Sequence, residues 1–590
     1  MQSSSACRTT VGITAAQERA IMTSTALPQP HDGFDCIIVG GGSAGCAMAA
    51  RLSERSGLKV LLLESGRDTA PGATPADVLD IYPASYYNKA YMWGGQKVHW
   101  RRRDNSPLVG MDQGRIMGGS SSVMGMVALR GTPDDYTEWE AMGAKGWGWS
   151  DVLPYYRKLE TDLNFDGEMH GTTGPVTIRR VAQQHWTPLA RAVMSFAQSR
   201  QMPYIPDMNG DFRDGYCSLP MSNTPEHRVS SAISYLTAEV RRRPNLTIMP
   251  FATVTELTMD GRRVTGVVVE IAGETRRFAA RETILSMGAV RSPAMLMRAG
   301  LGPAAHLKEH GIAIREDMPG VGANLSNHAI LFIGMHLRKV HRQSDSLRSL
   351  QVTGMRWSSG VPDCPPTDLC MNIQSKSSWN KLGSQLANIG PVLWKPFSRG
   401  RVSLTSTDPH ATPLVECNFV DDERDLQRMM MGFRRATEMV LHEDVARLGG
   451  RPFPVRFTDN LRQLNQKTTA NAWKTSAIAA LLDIAPPLSD RMLSSLTSGV
   501  SDLAGLAADD ARLRSHVEKN IAGTFHLVGT CRMGHPDDNK AVVDSHGCVR
   551  GAQGLRVADA SIMPTVPRAN TNIPAIMVGE KIAAAILTAA

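Results

Sequence analysis

FDCIIVGGGSAGCAMAARLSERSGLKVLLLESGRD, residues 34–68, reads as strand, glycine turn, helix and second strand. The short apolar run Cys36–Val39 leaves no room for polar alternation, as a buried parallel strand requires. Gly40, Gly42 and Gly45 then form G-x-G-x-x-G directly ahead of the helical pattern SAGCAMAARLSER. The first glycine makes the tight turn, the second admits a pyrophosphate and the third lets helix and sheet pack closely. Gly40, Gly42, Ser43, Ala44 and Gly45 are therefore the expected cofactor contacts of this turn. The second strand, KVLLLE, ends in Glu64, 19 residues after Gly45, where a carboxylate accepts ribose hydroxyls and repels a 2′-phosphate. The stretch predicts a Rossmann-like dinucleotide unit in an α/β fold. By itself it leaves NAD and FAD open.

A chain of 590 residues exceeds one simple core and predicts two intertwined or consecutive domains. The net charge of +8 is modest for this length, and no basic stripe with interleaved aromatics appears, which argues against nucleic acid. The densest basic runs are Arg101–Arg103 and Arg241–Arg243; the second, ahead of Pro244, reads as the solvated basic end of a helix. Nine cysteines form no CxxC pair, so neither a disulfide framework nor a metal site is expected, and a reducing cytoplasm fits. Residues 1–33 lack an apolar signal region and read as a disordered leader, with Met22 as an alternative start. No apolar run reaches the length of a membrane span.

A second glycine cluster, QGRIMGGSSSVMGMVALRG (Gln113–Gly131), sets Gly118 and Gly119 before Ser120 and Ser121. Such a loop either merely turns or offers close backbone and spare hydroxyls to a phosphate or a flavin edge. With four later stretches it resembles the glucose–methanol–choline (GMC) oxidoreductases from about Phe34 to Leu587. GAVRSPAMLMRAGLGP (Gly288–Pro303) is similar to the second family signature, with Ala299 where serine is usual. PGVGANLSNH (Pro319–His328) is similar to PGVGxNLxDH, with Asn327 in place of the aspartate. FHLVGTCRMG (Phe525–Gly534) and GLRVADASIMPTVPRANTNIPAIMVGEKIA (Gly554–Ala583) resemble the C-terminal catalytic and flavin-binding blocks.

The resemblance implies FAD, contacted also by the main chain near Val254 and by Asp559. Met124 stands where relatives carry a flavin-contacting asparagine. Val123 stands where some carry a flavin-linking histidine, so the FAD is expected to be non-covalent. The implied FAD-binding domain comprises 34–155, 225–330 and 516–590. Between its parts, 156–224 and 331–515 form a substrate domain on an antiparallel sheet, making the whole α+β. GPVTIRRV (Gly174–Val181) and GRVSLTST (Gly400–Thr407) alternate as half-buried strands, and Thr253–Ile271 reads as a hairpin turning at Asp260-Gly261. The stretch 443–515, with two helical patterns around Pro486-Pro487, is the least family-like.

Oxidising an alcohol by hydride transfer needs a base for the hydroxyl proton and a second polar group to fix the oxygen. His526 is one of sixteen histidines, but it holds the family's HxVGT position, which His328, His535 and His546 do not. Its apolar setting disfavours the cation and keeps the ring basic in its neutral form. The implied partner is Asn570, nine residues before Gly579; Asn570 and Asn572 can alternatively cap the last helix. Pro574 sits near the start of that helix, whose N-terminal dipole would face the flavin. Within the family, Leu153–Val181 and Ala558–Met577 resemble hydroxymethylfurfural and aryl-alcohol oxidases, which implies a small primary alcohol on an aryl or furanic ring as substrate and oxygen as acceptor. The alternatives are a choline-type or other dehydrogenase using a quinone, and more remotely a flavin-bound lyase or photoenzyme. Trp93 and Trp100 could line a choline cage but read more simply as core or lid residues.

Overall fold

The computed structural model describes residues 33–456, 458–484, 493 and 502–589. The leader up to residue 32, Met22, Cys7 and the Pro486-Pro487 pair lie outside the described residues. Phe34–Val39 is the centre of a seven-stranded sheet, with Val60–Leu63 and then Leu246–Met249 parallel on one side. On the other side it pairs, again in parallel, with Ala280–Leu285, the second half of the strand Glu274–Leu285, and Leu555–Val557 pairs beyond that. Ile37 and Ile38 are both 0% exposed, so both faces of the strand are covered, as its unbroken apolar run requires. The hairpin turning at Asp260-Gly261 forms as Ala252–Asp260 and Arg263–Ile271, with Gly261 at φ 56°. It extends to a third strand, because the first half of Glu274–Leu285 pairs antiparallel with Arg263–Ile271. One long strand thus joins the meander to the parallel sheet.

A second, nine-stranded and mostly antiparallel sheet runs in the order Phe453–Pro454, Ile333–His336, Leu386–Leu393, Leu369–Gln374, Thr353–Trp357, Gly215–Ser218 and Tyr204–Ile205. Ala329–Ile330 attaches to Leu386–Leu393 and Ala522–Gly523 pairs in turn with Ala329–Ile330, while the helix Glu423–Leu441 packs across the sheet. Two stretches expected as half-buried strands contribute only three residues each, and neither joins this sheet. Val176–Ile178 pairs with Glu160–Asp162, and Arg401–Ser403 joins Leu414–Glu416, Lys97–His99 and Leu108–Gly110.

Two other expectations change. Asn572–Ala589 is long and apolar enough, by length and composition, to cross a bilayer. It is instead a core helix: it packs on Ser43–Leu52 and Trp149–Leu159, and its fully buried Glu580 accepts hydrogen bonds from Tyr235 Oη at 2.7 Å and Arg51 Nε at 2.9 Å. Arg241–Arg243 is not a freely solvated helix end. Arg241 grips both oxygens of Asp68 at 2.8 Å, and Arg243 donates to Ala50 O and Ser53 Oγ, so the run braces the dinucleotide unit.

A buried ion network sits beside Trp149–Leu159. Glu160, Asp162 and His170 come close enough to hold a metal. Arg130 pairs with Glu160, however, and Arg180 bridges Asp162 and Asp207 at 2.8 Å, while both ring nitrogens of His170 face carboxylates. Burial opposes charge on His170, yet hydrogen bonds to Asp162, Asp207 and Glu160 prevail and raise it to about 10. His170 is therefore an imidazolium cation, and the three carboxylates already have three cations.

Candidate active site

The glycine turn is tight because Gly40 adopts φ 104° and because the helix it launches nearly touches it. A Cβ added at Gly45 would lie 2.0 Å from Gly40 O, against backbone. Gly42 differs: a Cβ there meets nothing nearer than 3.8 Å, so this glycine opens on space. That space is a cavity of about 540 Å³ running from the turn to His526. Gly40, Gly42, Ser43, Ala44, Glu64, Gly119, Ser120, Ser121, Val254, Asp559, Asn572, His526 and Asn570 all line it, though they come from distant parts of the chain. Gly45, Gly118 and Pro574 do not line it; they support the packing behind it.

At one end, Glu64 accepts hydrogen bonds from Gly41 N at 2.9 Å and Gly66 N at 2.8 Å, leaving lone pairs for further donors. Burial pushes this carboxyl up to about 7, against the pull of those two N–H groups. Val254 lies on the edge strand of the seven-stranded sheet, so main-chain groups on its outer side have no strand partner among the described residues. Arg291 is 7% exposed, lies 3.5 Å over the Trp93 ring and lines the cavity, yet its Nε and Nη2 meet no acceptor among the described residues. A buried guanidinium with two unpartnered nitrogens, a carboxylate end and an open glycine turn fit an anionic dinucleotide with free ribose hydroxyls. FAD is such a group.

The serine loop departs from expectation. Ser121 Oγ donates to Gly118 O and meets Ser231 Oγ, while Ser122 Oγ donates to Met117 O, so these hydroxyls are not spare. The buried Arg228 holds the loop's shape through Ser121 O and Met124 O. Asp559 is likewise committed: Ser292 Oγ, Ser561 N and Gly288 N all donate to it, and it anchors the helix Gly288–Arg298. Ser43 Oγ donates to Asn572 Oδ1 at 2.7 Å, tying the first helix to the last.

At the other end, Phe525 takes the left-handed φ of 64°, a costly conformation for an aromatic residue. Backbone bonds between Ser326 and Val528 clamp the turn, and Asn327 Oδ1 accepts His526 N–H at 2.9 Å. The imidazole Nε2 meets Asn570 Nδ2 at 3.1 Å. Neither Asn570 nor Asn572 spends its described contact on capping: one faces His526 and the other accepts from Ser43. Burial pulls His526 down to about 4, so the ring is neutral at pH 7. Its Nδ1 lies 2.9 Å from Thr524 Oγ1 and 2.9 Å from His328 Nδ1, contacts that the motif spacing did not disclose. The surrounding wall is apolar and partly aromatic, with Phe332, Val392, Trp394 and Phe525. Trp93 and Trp100 form no joint cage, since Arg291 and Arg115 flank the former and Phe419 stacks on the latter.

The chain matches the N-terminal GMC oxidoreductase model over residues 34–330 and the C-terminal one over 396–579. It is 39% identical to 5-(hydroxymethyl)furfural oxidase of a Methylovorus species, covering 94% of this chain and 99% of that protein. It is 30% identical to an oxygen-dependent choline dehydrogenase of Photobacterium profundum, covering 94% and 93%. Among solved structures, pyridoxine 4-oxidase from Mesorbium loti superposes with a TM-score of 0.77 at 24% identity over 94% of this chain and 99% of that one. The dinucleotide cradle, the histidine–asparagine pair and these matches agree: the chain belongs to the GMC oxidoreductase family and is an FAD-dependent oxidoreductase acting on CH–OH donors.

Proposed function

We propose that the protein oxidises a primary alcohol carried on a flat aromatic or furanic ring to the aldehyde, with oxygen as acceptor. The observation that carries this reading is the pairing of His526 Nε2 and Asn570 Nδ2 at 3.1 Å inside an apolar wall, in the cavity that also contains the glycine turn. An incoming hydroxyl replaces that mutual bond: its proton faces the Nε2 lone pair, and its oxygen accepts from Asn570 Nδ2. His526 takes the proton, and Asn570 holds the developing alkoxide in place. FAD, when bound, supplies the hydride acceptor at N5. The N-terminus of Asn572–Ala589 lies at the cavity, where its dipole favours negative charge on a neighbouring group. A hydrated aldehyde presents the same C–H and O–H arrangement, so the reaction can continue to the acid.

In this reading Gly40, Gly42, Ser43, Ala44, Glu64, Gly119, Val254 and Arg291 hold the dinucleotide non-covalently, Val123 offering no side chain for a flavin link. Residues 34–155, 225–330 and 516–590 form the cofactor domain, and 156–224 with 331–515 form the substrate domain. The names of the furfural oxidase and of the oxygen-dependent relative support oxygen over a quinone. The eight described cysteines are free, which supports a reducing cytoplasm as the working compartment. Anaerobic mixing of FAD-loaded protein with benzylic and furanic alcohols tests the reading. Bleaching is expected, with peroxide released when oxygen is admitted. His526→Ala should slow bleaching by about 10² to 10⁴-fold with FAD retained; normal bleaching in that variant would overturn the base assignment.

A further inference from the structure

His328 lies 198 positions before His526 in sequence, yet the two rings meet edge to face, with centroids 5.1 Å apart and Nδ1 atoms 2.9 Å apart. Two nitrogens at that distance share one proton, and the surrounding partners say whose it is. Asn570 Nδ2 is a donor, so His526 Nε2 presents its lone pair and the neutral ring carries its proton on Nδ1. Thr524 agrees, because its hydroxyl donates to His328 O at 3.2 Å and leaves its oxygen to accept from His526 Nδ1. His328 must then offer the Nδ1 lone pair and keep its own proton on Nε2, a ring nitrogen with no hydrogen-bond partner among the described residues.

The charged groups facing His328 are Asp135 and Lys395. Asp135 is paired with Lys395 at 3.0 Å and Arg568 at 2.8 Å, and Lys395 also meets Glu138. Two anions and two cations cancel there, so no net negative charge favours a second proton on a ring that is 0% exposed. Burial, with the His526 ring next, holds His328 well below the ordinary histidine range. His328 is therefore a fixed neutral acceptor behind the base.

Building on the assignment of His526 as base, we propose that His328 is a positioning residue of the alcohol oxidation. Its Nδ1 lone pair holds the His526 tautomer with Nε2 bare. When the alcohol proton arrives on Nε2, the Nδ1–H···Nδ1 bond becomes charge-assisted and spreads the new positive charge over two rings. No proton is lost or gained by the pair beyond the one taken from substrate, and the hydride leaves with its electron pair to the flavin. The arrangement resembles the histidine–carboxylate pair of a hydrolase in geometry, but a neutral imidazole replaces the carboxylate. It strengthens the base without burying a permanent anion.

The test is anaerobic rapid-mixing of FAD-loaded enzyme with one alcohol across pH. His328→Leu removes the acceptor, whereas His328→Asn sets an amide oxygen close to the former Nδ1. For His328→Leu the expected result is flavin reduction slowed on the order of 10²-fold, little change in the alcohol concentration for half-maximal reduction, and an acid limb displaced to lower pH. His328→Asn should recover most of the rate and the limb. Wild-type behaviour in a fully FAD-loaded His328→Leu variant overturns the proposal, and so does a His328→Asn variant as slow as His328→Leu. If His328→Leu fails to hold FAD, nitrogen-15 shifts of histidine-labelled wild-type holoenzyme decide. A His526 protonated on Nδ1 supports the proposal, and one protonated on Nε2 overturns it. Failure of the base assignment itself would be distinguishable, since it appears as normal reduction in His526→Ala whatever His328 does.

Discussion

Asn327→Asp is the most informative single change, because it restores the family's usual aspartate at a position that now holds the base by a neutral amide. Asn327 Oδ1 accepts the His526 backbone N–H at 2.9 Å, and the side chain is buried, so a carboxylate would keep the bond and add a charge that water cannot screen well. The imidazole lies roughly 3 Å beyond its own amide nitrogen, which puts the two charges about 6 Å apart. At an effective dielectric of about 20, that separation gives about 2.8 kcal/mol of attraction for the imidazolium, or about two pKa units. Burial now pulls His526 down to about 4, so the variant's base should titrate near about 6. The substitution also gives up the weak approach of Asn327 Nδ2 to Cys417 Sγ at 3.9 Å, which contributes little. The assay is flavin reduction after a pH jump from neutral buffer, which limits exposure to acid. At pH 5 the variant should run about tenfold below its own plateau while wild type stays near its maximum, and at pH 8 the variant should be at least as fast. An acid limb that stays at the wild-type position in a variant loaded with FAD would refute the claim that charge at 327 reaches the base.

Gly45→Ala sets a methyl 2.0 Å from Gly40 O and must push the first helix off the turn, so flavin absorbance per protein should fall sharply; full retention of FAD would sink the packing argument. Arg291→Met removes the unpartnered Nε and Nη2 donors of this residue and should weaken FAD binding by about tenfold or more, equivalent to about 1.4 kcal/mol, measured as the apparent Kd for FAD of the apoprotein. His170→Leu leaves Glu160, Asp162 and Asp207 short of a cation and should cost about 3–5 kcal/mol in denaturant unfolding. Because His170 is raised to about 10, its contribution is complete below the ordinary histidine value and is lost as pH rises through about 10. Wild type should therefore lose stability between those limits, and the leucine variant should lack that alkaline component.

Much of the cofactor end was legible in one dimension because its chemistry is local. The turn, the helix start and Glu64 fall within a few dozen residues, and a glycine's freedom or a strand's apolar run is a property of consecutive positions. Misreadings arose where a side chain's task is set by neighbours from elsewhere in the chain. The Ser121 and Ser122 hydroxyls looked spare until Ser231 and the loop's own carbonyls were seen to occupy them. Arg241–Arg243 looked solvated until Asp68, Ala50 and Ser53 were found beneath it.

By itself, the sequence determined the buried parallel strand and its glycine turn, the dinucleotide and the family, and it singled out the histidine–asparagine pair that the proposed chemistry uses. Only the tertiary structure decided how that pair is armed. Asn327 and His328 arrive from a loop almost two hundred residues upstream, and the left-handed turn at Phe525 aims the ring between them and Asn570. Residue identity and spacing fix local backbone preferences, but the protonation state of a base depends on which donors and acceptors lie within about 3 Å of it, and that is settled only when distant segments pack together.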